Sequence, residues 1–464
     1  MFSKEIYVQR RKALCAQLKS GLLLFLGNKE APSNYLDNTY RFRQDSSFLY
    51  FFGLDEPDLA AIIDLDAGVE TLFGDDIGID SIVWMGPQPL IREKADRVAV
   101  PNVRPMSDVA DVVKKAVAAG RTVHFLPPYR YANKIILTEL FGIPPHEQKA
   151  KASEAFIKAV VALRAIKQPE EVAEMDKAAN IGHFMHYAAM RMAKLGMLEQ
   201  KLVGVMEGIA ISHGYMPSFP IILSQNGETL HNHTHHQILT DGRLLLIDAG
   251  AETGNHYASD FTRTIPCSGS FTPQQRALYT LVLEATNHAM NLCKPGIPYK
   301  QVHLAAARVI VEGLKGMGIM KGDTEEAIVN GAHAMFFPCG LGHNMGMDVH
   351  DMEDLGEQYV GYDETVTRST QFGLKSLRMA KALSIGNVMT VEPGIYFIPA
   401  LMDKWRAEKV NTQFLCFDEM EKFRTFGGIR IEEDILITED GYRMLGSERL
   451  PVTVEEIEQT MKME

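Results

Sequence analysis

The spacing of apolar residues predicts alternating helices and strands in the first third of the chain. An amphipathic helix is expected over residues 4–19, and the apolar run at 22–26 has the length of a buried strand. A polar connection with two prolines covers residues 141–153 and favours a domain boundary. We therefore expect one domain at 1–150 and a second at 151–464. Within the first domain, further strands are predicted at LAAIIDLDAG, SIVWMG and TVHFLP, and further helices at 107–119 and around 131–140.

The second part of the chain combines long helices with short strands and loops. Thr272 followed by Pro273 is typical of a helix beginning, because the threonine side chain can cap the first turn and proline needs no amide partner there. Beyond residue 317 the pattern predicts mostly strands and loops, so the expected fold class is α+β. The predicted helices are 170–193, 197–213, 273–293 and 299–317, and the predicted strands are 219–224 and 243–249.

The stretch LLLIDAGAETGNHYASDFTRTIP, residues 244–266, predicts two strands joined by a tight turn, with one aspartate on each strand. A hairpin symmetric about Gly254 would place Asp248 directly opposite Asp260, with Cβ atoms about 4.5–5.5 Å apart. Two carboxylates at that distance repel each other unless a cation or a shared proton lies between them. The pair predicts a metal site, with two solvated hairpin aspartates as the alternative for a pair considered alone.

Three further residues supply the donors that a pair of metal ions would need. His343 lies in GLGHNMGMDVHD, Glu392 in VMTVEPGIY and Glu432 in GGIRIEEDILI. Together with the two aspartates they form an oxygen-rich set, which suits Mn²⁺ and similar divalent ions. Period-two alternation in the strand GGIRIEEDILI puts Arg430 on the face of Glu432, where an arginine can orient a metal-bound carboxylate.

Two more histidines are candidates for the same cleft. His350 lies seven residues after His343. His231 follows an apolar residue at the start of HNHTHH, a segment whose histidines would otherwise be interpreted as a surface cluster. A single histidine is more often a hydrogen-bonded structural residue, so these two gain weight only from the acidic residues expected beside them.

Composition excludes several other classes of function. The formal net charge is -12 and the basic residues are scattered, so nucleic acid is not an expected partner. The five cysteines include no CxxC pair, which argues against a disulfide framework or a zinc knuckle and favours a reducing compartment. The first residues lack the apolar core of a signal peptide, and no apolar run is long enough to cross a bilayer. We expect a cytoplasmic protein without a membrane anchor.

The sequence blocks resemble the proline-specific metallopeptidases of the pita-bread fold, a group that contains aminopeptidase P, prolidase, methionine aminopeptidase and the metal-free creatinase. YRFRQDSSFLYFFG is similar to the amino-terminal domain of aminopeptidase P, and the blocks that carry the acidic residues and His343 resemble its catalytic blocks in order. The resemblance implies a creatinase-like α/β domain followed by a pita-bread catalytic domain. Relatives assemble as dimers or tetramers, so it also implies a homo-oligomer.

The resemblance assigns a metal ligand to each position of the acidic set. Asp248 would bind one of two divalent ions, which we expect to be Mn²⁺. His343 and Glu392 would bind the other ion. Asp260 and Glu432 would bridge both ions. Ions about 3.5–4 Å apart activate water for attack on the carbonyl group that precedes proline.

The resemblance also implies roles in substrate handling. Glu392 would shuttle a proton, and His231 and His350 would bind substrate and stabilise the tetrahedral intermediate. Arg430 matches the supporting arginine of the family. Trp84 resembles a tryptophan that lines the pocket of a neighbouring subunit, with a buried core tryptophan as the alternative.

Three features depart from the family pattern. Eleven residues separate Asp248 from Asp260 where the family usually has ten, which predicts one extra residue at the hairpin tip. Cys339 lies where relatives often carry a histidine, which puts a secondary substrate contact in question without removing a ligand. The long segment at 398–425 resembles prolidase more than aminopeptidase P.

The favoured function is an Xaa-Pro aminopeptidase, which releases the first residue from peptides whose second residue is proline. His231 keeps the aminopeptidase P spacing to Asp248, and MGIMKGDTEEAIVNGAHAMFF resembles that branch. The alternative is an Xaa-Pro dipeptidase, because SLRMAKAL, with Arg378, resembles the prolidase segment whose arginine captures the carboxylate of a dipeptide. A catalytically inactive peptide-binding module is the remote alternative, and the complete set of ligand positions argues against it.

Overall fold

The computed structural model describes residues 1–463, and its contacts divide the chain into two compact units. The N-terminal unit contains Met1–Arg164 together with Met352–Tyr359. The C-terminal unit contains Ala165–Asp351 and the chain from Val360 onward. The boundary at residue 150 stays a prediction, and the helix Glu154–Arg164 that follows it belongs to the N-terminal unit.

A mixed sheet forms the centre of the N-terminal unit. The strands of this unit are β1 (Leu22–Leu26), β2 (Pro32–Tyr35), β3 (Asn38–Thr39), β4 (Ala60–Asp64), β5 (Val69–Phe73), β6 (Asn102–Arg104) and β7 (Val123–His124). The main sheet has the order β6-β5-β4-β1-β7, and β2 pairs with β3 separately. β4 is antiparallel to β1 and β5, whereas β7 is parallel to β1 and β6 to β5. Parallel pairs need crossover connections, which the intervening helices provide.

Helices pack against this sheet through a buried apolar cluster. Val113 and Leu137 of two helices contact Leu24 and Ile62 of the central strands in that cluster. A short helix also lies within the connection predicted at 141–153. The helices of the unit within Met1–Arg164 are α1 (Lys4–Cys15), α2 (Ser46–Phe52), α3 (Ile79–Met85), α4 (Ile91–Arg97), α5 (Asp108–Ala118), α6 (Tyr131–Phe141), α7 (Gln148–Lys151) and α8 (Glu154–Arg164).

The strand predicted at SIVWMG is wrong, because these residues belong to helix α3. Asp80 in the first turn and Gly86 at a φ of 74° just after the last turn are helix-end signals that the apolar run obscured. Trp84 on this helix is 84% exposed. The alternative of a buried core tryptophan is therefore wrong as well.

The C-terminal unit surrounds short antiparallel sheets with long helices. Its strands are β8 (Ile222–Ser224), β9 (Leu244–Ala249), β10 (Phe261–Pro266), β11 (Val388–Val391), β12 (Gly394–Tyr396), β13 (Gly428–Arg430), β14 (Glu433–Ile437) and β15 (Tyr442–Met444). They pair in the orders β10-β9-β8, β11-β14-β15 and β12-β13. Every residue of β9, β10 and β11 is buried, so these strands lie in the interior of the unit.

The long helices of the C-terminal unit begin where the capping residues predicted. Thr272 accepts a hydrogen bond from the amide of Gln275, and Pro273 occupies the first turn. Among the residues that the structure describes, every helix is too short or too polar to span a membrane. The remaining helices of the chain are α9 (Pro169–Met192), α10 (Glu199–His213), α11 (Pro273–Leu292), α12 (Tyr299–Gly316), α13 (Thr324–Val329), α14 (Glu357–Val360), α15 (Pro399–Ala407), α16 (Phe417–Glu421) and α17 (Val454–Lys462), with 3₁₀ turns at Ala332–Met335, Glu353–Leu355 and Leu374–Ser376. Of these, the turn Glu353–Leu355 and most of α14 belong to the Met352–Tyr359 segment of the N-terminal unit.

Candidate metal centre

The first two acidic residues of the site come from the β9–β10 hairpin. The strands pair in a register that places Asp248 opposite Thr262, so the prediction that Asp248 lies directly opposite Asp260 is wrong. Asp260 lies two positions before Thr262, and side chains along a strand alternate between its two faces. Asp248 and Asp260 therefore still project from the same face, as diagonal neighbours. The strands approach closely beside them, because a Cβ at Gly250 would lie 1.7 Å from the carbonyl oxygen of Ser259.

The register differs because the turn is centred on Asn255 rather than on Gly254. His256 carries the positive φ of 62°, and the amide of Thr253 donates to the carbonyl of Tyr257 across the tip. A glycine in a turn sequence suggested the wrong centre, since the left-handed residue of this turn is a histidine.

The two glutamates of the site lie opposite each other where two strands are interrupted. β11 pairs with β14 and β12 pairs with β13 in one continuous register. Glu392 separates β11 from β12, and Glu432 separates β13 from β14. The block GGIRIEEDILI, predicted as one strand, therefore contains a break at Glu432. Because a cross-strand pair brings Cβ atoms within about 5.5 Å, the interruption juxtaposes the two carboxylates.

Three of these side chains converge on one point. Asp260, His343 and Glu432 each offer a ligand atom, and these atoms lie within 4.8 Å of one another. The Nε2 atom of His343 is 3.5 Å from Oδ2 of Asp260 and 3.8 Å from Oε1 of Glu392. The hairpin, the interrupted strands and the loop that carries His343 thus deliver their donors to a common volume.

Hydrogen bonds fix the histidine for this arrangement. Nδ1 of His343 is 3.1 Å from the carbonyl oxygen of Asn344, and a carbonyl only accepts, so the proton belongs to Nδ1. The Nε2 lone pair then faces the carboxylates, as a metal ligand requires. Burial lowers the pKa of His343 well below its ordinary value, which keeps the ring neutral.

Arg430 ties the aspartate hairpin to the glutamate strands. Its guanidinium donates to the Oδ2 atom of Asp248, to the hydroxyl of Thr262 at 3.0 Å and to the hydroxyl of Tyr396 at 2.9 Å. Thr262 in turn donates to Oε2 of Glu432 at 2.6 Å. The arginine therefore orients two acidic residues, one directly and one through the threonine.

The carboxylates of the site destabilise one another in the metal-free protein. Burial and the neighbouring Glu432 and Asp248 raise the pKa of Asp260 well above its ordinary value. Burial, Glu392 and Asp248 do the same for the pKa of Glu432. Burial first, and then Asp248, raise the pKa of Glu392 to about 7, although Arg430 opposes this shift. A cation between these groups would remove the repulsion.

The donor set fits divalent metal ions. The Oδ1 atoms of Asp248 and Asp260 are buried and accept no hydrogen bond from protein groups. Buried carboxylate oxygens are normally satisfied, so these two atoms call for a ligand. Four carboxylates supply the hard oxygen donors that ions of the Mn²⁺ type prefer, and the neutral imidazole adds one nitrogen donor.

These shifts predict how pH affects the metal-free protein above pH 7. A carboxyl group whose pKa is raised by folding stabilises the fold while protonated, and that stability is lost as pH rises through the folded-state pKa. Buried histidines have the opposite effect on stability, because folding lowers their pKa. Their effect changes with pH only below their ordinary pKa near 6.5, so it does not offset the loss of stability above pH 7. We therefore expect the thermal midpoint of the metal-free protein to fall by several degrees between pH 7 and pH 8.5.

A chelator-treated sample and a Mn²⁺-loaded sample, melted in parallel across this range, test the expectation. The loaded sample should show a smaller fall, because the metal neutralises the ionised carboxylates. Equal midpoints for the metal-free protein at pH 7 and pH 8.5 would contradict the repulsion inferred here.

A cavity of about 630 Å³ opens onto the acidic residues. His231, His350, Arg378 and Arg430, all predicted from the sequence, line this cavity. Cys339 lines it as well, and burial raises the pKa of its thiol to about 12, so the thiol is neutral. The other members of the predicted set in the cavity wall are Asp248, Asp260, His343, Glu392 and Glu432.

A buried ion pair supports the loop between His343 and His350. The ammonium group of Lys167 lies 2.9 Å from Oδ2 of Asp351, and both side chains are 1% exposed. The amide of Asp351 donates to the carbonyl of Asn344, the same oxygen that His343 contacts. The pair therefore closes the turn that presents both histidines to the cavity.

Sequence reasoning missed several residues that shape the site. Thr262 and Tyr396 bind Arg430, and Phe372 lines the cavity. Thr262 could have been found, since it lies two positions after Asp260 on the same strand face. Tyr396 ends the block VMTVEPGIY, but nothing in that block marks a contact with Arg430, and Phe372 lies in a segment that no motif marks.

The sequence matches two known families over most of the chain. Residues 173–439 match the description Metallopeptidase family M24, and residues 7–124 match Aminopeptidase P, N-terminal domain. The chain belongs to metallopeptidase family M24. As an M24 protein it has the two-domain architecture that the sequence predicted, an aminopeptidase P-type domain followed by a pita-bread domain, and it is a metallo-exopeptidase that uses divalent metal ions.

The relatives of this M24 protein include two activities. The Xaa-Pro dipeptidase of Homo sapiens is 32% identical over 476 residues, which cover 98% of this chain and 93% of that protein. A probable Xaa-Pro aminopeptidase of Fusarium vanettenii is 32% identical over 426 residues, which cover 91% and 87%. Identity alone therefore does not separate the two activities.

Solved structures of aminopeptidase P are similar over the whole M24 chain. The aminopeptidase PepP of Pseudomonas aeruginosa superposes with a TM-score of 0.81 at 29% identity, covering 99% of this chain and 98% of that one. The Escherichia coli aminopeptidase P with the inhibitor Pro-Leu gives a TM-score of 0.79 at the same identity and coverage.

Proposed function

We propose that this M24 protein is an Xaa-Pro aminopeptidase that hydrolyses the bond between an N-terminal residue and a following proline. The observation that carries the proposal is the convergence of Asp260, His343 and Glu432 in a cavity that also contains His231 and His350. The similarity to structures of aminopeptidase P supports the same substrate class.

Two divalent metal ions, most simply Mn²⁺, are proposed as cofactors. Asp248 would hold one ion, and His343 with Glu392 the other. Asp260 and Glu432 would be shared between them. When bound, the ions supply Lewis acidity that activates a water molecule and polarises the scissile carbonyl group.

The remaining steps fall to side chains of this chain. Glu392 is the best-placed proton carrier, since 20% of its side chain is exposed to the cavity whereas Asp260 and Glu432 are almost fully buried. Its carboxylate would take a proton from the attacking water and give it to the departing proline nitrogen. His231 and His350 would donate hydrogen bonds to the carbonyl oxygen as negative charge develops there.

Replacing His231 or His350 by alanine is expected to lower kcat about 10²- to 10³-fold while both metal ions remain bound. Loss of a donor that acts on the developing oxyanion affects the rate more than substrate binding. Assays of Ala-Pro-Ala hydrolysis and metal analysis of the same samples test this. His236→Ala is the matched control, because His236 is an exposed histidine of the same segment that lies outside the cavity. Full activity in His350→Ala would remove it from the proposed mechanism.

Arg378 favours a second candidate, an Xaa-Pro dipeptidase. This arginine lines the cavity, and its positive charge suits the carboxylate of a dipeptide. Comparing the hydrolysis of Ala-Pro and Ala-Pro-Ala by the Mn²⁺-loaded enzyme separates the two activities. Preference for the tripeptide is expected. Cleavage of the dipeptide alone would replace the aminopeptidase with the dipeptidase.

A homo-oligomer, either a dimer or a tetramer, is also proposed. Helix α3 exposes Ile79, Val83, Trp84 and Met85 to at least 70% each, and clustered apolar side chains on a surface favour a protein contact. Trp84 is proposed to reach the pocket of a neighbouring copy. A cytoplasmic location is proposed because all five cysteines are free thiols.

A further inference from the structure

The long segment at 398–425, here called the insert, is a fixed part of the C-terminal unit. It lies between β12 and β13 and contains α15 and α16. The amide of Lys321 donates to the carbonyl of Phe414, and the amide of Cys416 donates to the carbonyl of Ile319. Phe423 stacks on the ring of Phe397, with ring centroids 4.7 Å apart and an interplanar angle of 12°. These bonds hold the insert at several points along its length.

The insert supports one aromatic side chain in the cavity wall. Trp405 of α15 is buried and contacts Phe372 edge-on, with ring centroids 6.0 Å apart. The ammonium group of Lys375 lies 5.5 Å from the centre of the Phe372 ring. An aromatic contact and a cation–π contact therefore restrain the same ring.

The loop that carries Phe372 is itself restrained. The side-chain amide of Gln371 donates to the carbonyl of Val329, and the amide of Lys375 donates to the carbonyl of Gln371. Gly373 has a φ of 89°, and a Cβ there would lie 2.7 Å from Ala334. The loop therefore packs directly on the 3₁₀ turn at Ala332–Met335, and the ring is positioned before any substrate arrives.

Phe372 lines the cavity yet keeps 39% of its surface exposed. Phe372 is not part of the apolar cluster on which Phe219 and Leu230 of the cavity wall pack, a cluster whose buried members include Tyr396. An exposed ring held in place by a buried tryptophan presents a preformed apolar surface to a ligand.

The charges in the cavity indicate which end of a bound peptide would meet the Phe372 ring. Phe372 and Arg378 belong to the same segment of the wall, six residues apart. The cluster of carboxylates attracts the N-terminal ammonium group of a substrate, whereas Arg378 attracts the carboxyl-terminal part. The segment of the wall that carries Phe372 and Arg378 is therefore assigned to residues that follow the scissile bond.

We propose that Phe372, supported by Trp405 of the insert, forms a subsite for an apolar side chain at the third residue of the substrate, directly after proline. The proposal rests on the proposed aminopeptidase function, since a dipeptide has no third residue. It gives the insert a role in substrate selection and makes Phe372 a specificity-determining residue.

Steady-state kinetics with Ala-Pro-Phe and Ala-Pro-Ala test the proposal. The wild-type enzyme should prefer Ala-Pro-Phe by about 3- to 10-fold in kcat/KM, the range expected for one aromatic contact. Phe372→Ala should bring the ratio close to about 1, mainly through KM, because the contact is equal in the ground and transition states. Trp405→Leu should lower the ratio partly, since the ring loses its support.

Phe417→Ala is the matched control. Phe417 is a phenylalanine of the insert with an arginine 5.6 Å above its ring, and it lies outside the cavity wall, so its removal should leave the ratio unchanged. Tripeptide hydrolysis with the same ratio in wild type and Phe372→Ala would overturn the subsite but keep the function. Failure of the wild-type enzyme to cleave either tripeptide would instead overturn the aminopeptidase proposal, and the subsite with it.

Discussion

Asp260→Asn is expected to reduce kcat/KM for Ala-Pro-Ala by at least about 10³-fold and to lower the bound metal from two ions toward one or none. Asp260 contributes a carboxylate at the point where His343 and Glu432 also converge. An asparagine keeps the size of the side chain but removes the negative charge that holds a shared cation. Glu432→Gln should have the same effect, because its carboxylate meets the same point.

Asp260→Asn should also stabilise the metal-free protein. The pKa of Asp260 is raised because burial and neighbouring carboxylates disfavour its ionised form, so a neutral side chain removes a repulsion. The thermal midpoint of metal-free Asp260→Asn at pH 8 should therefore exceed that of metal-free wild type. Opposite changes in activity and stability separate a metal ligand from a residue whose loss merely unfolds the protein.

Metal analysis and thermal melting of the same samples measure both effects. Glu433→Gln is the matched control, because Glu433 is buried beside Glu432 but pairs with Arg263 at 2.7 Å and Arg449 at 3.0 Å outside the cavity. That control should lose stability and keep its metal. Two bound ions and full activity in Asp260→Asn would refute the dinuclear assignment.

Lys167→Met is expected to lower the free energy of unfolding of the C-terminal unit by about 3–5 kcal/mol. The substitution removes the lysine charge from beside the buried carboxylate of Asp351, and weakening the compensation of a buried charge is more costly than losing a contact between neutral groups. The loop that presents His343 and His350 should loosen as well, so the affinity for metal should fall. Urea denaturation and metal titration measure the two effects.

Two further variants distinguish charge from packing at this pair. Adding Asp351→Asn to Lys167→Met should recover part of the lost stability, because the buried negative charge is itself removed. Lys404→Met is the surface control, since Lys404 and Glu408 are both more than half exposed; its effect should stay within about 0.5 kcal/mol. A loss below about 1 kcal/mol in Lys167→Met would contradict the structural role assigned to the pair.

The sequence predicted the elements that carry local signals. The capping pair at Thr272 and Pro273 located the start of α11, and the continuous apolar run at 22–26 located β1, because each signal acts within a few residues. Helix α3 was missed, since a short apolar segment suits a strand or a helix equally and only its ends distinguish them.

The site was predicted in its residues more than in its geometry. The aspartate hairpin and the resemblance of the motif blocks to the metallopeptidase family indicated the four carboxylates and the one histidine that the cavity brings together. The hairpin register was wrong because a histidine, not a glycine, adopts the left-handed conformation of the turn. The bond between Tyr396 and Arg430 and the pair formed by Lys167 and Asp351 depend on contacts between separate segments, which no local pattern reports.

The hairpin also indicates where this chain tolerates a change of length. The close approach at Gly250 and the register of β9 with β10 fix the diagonal between Asp248 and Asp260 below the tip. Residues between Thr253 and Tyr257 lie beyond that fixed frame, so an insertion or deletion there alters the connection and not the distance between the carboxylates. Length variation among homologous hairpins is therefore expected at the tip, whereas the stem should keep its length.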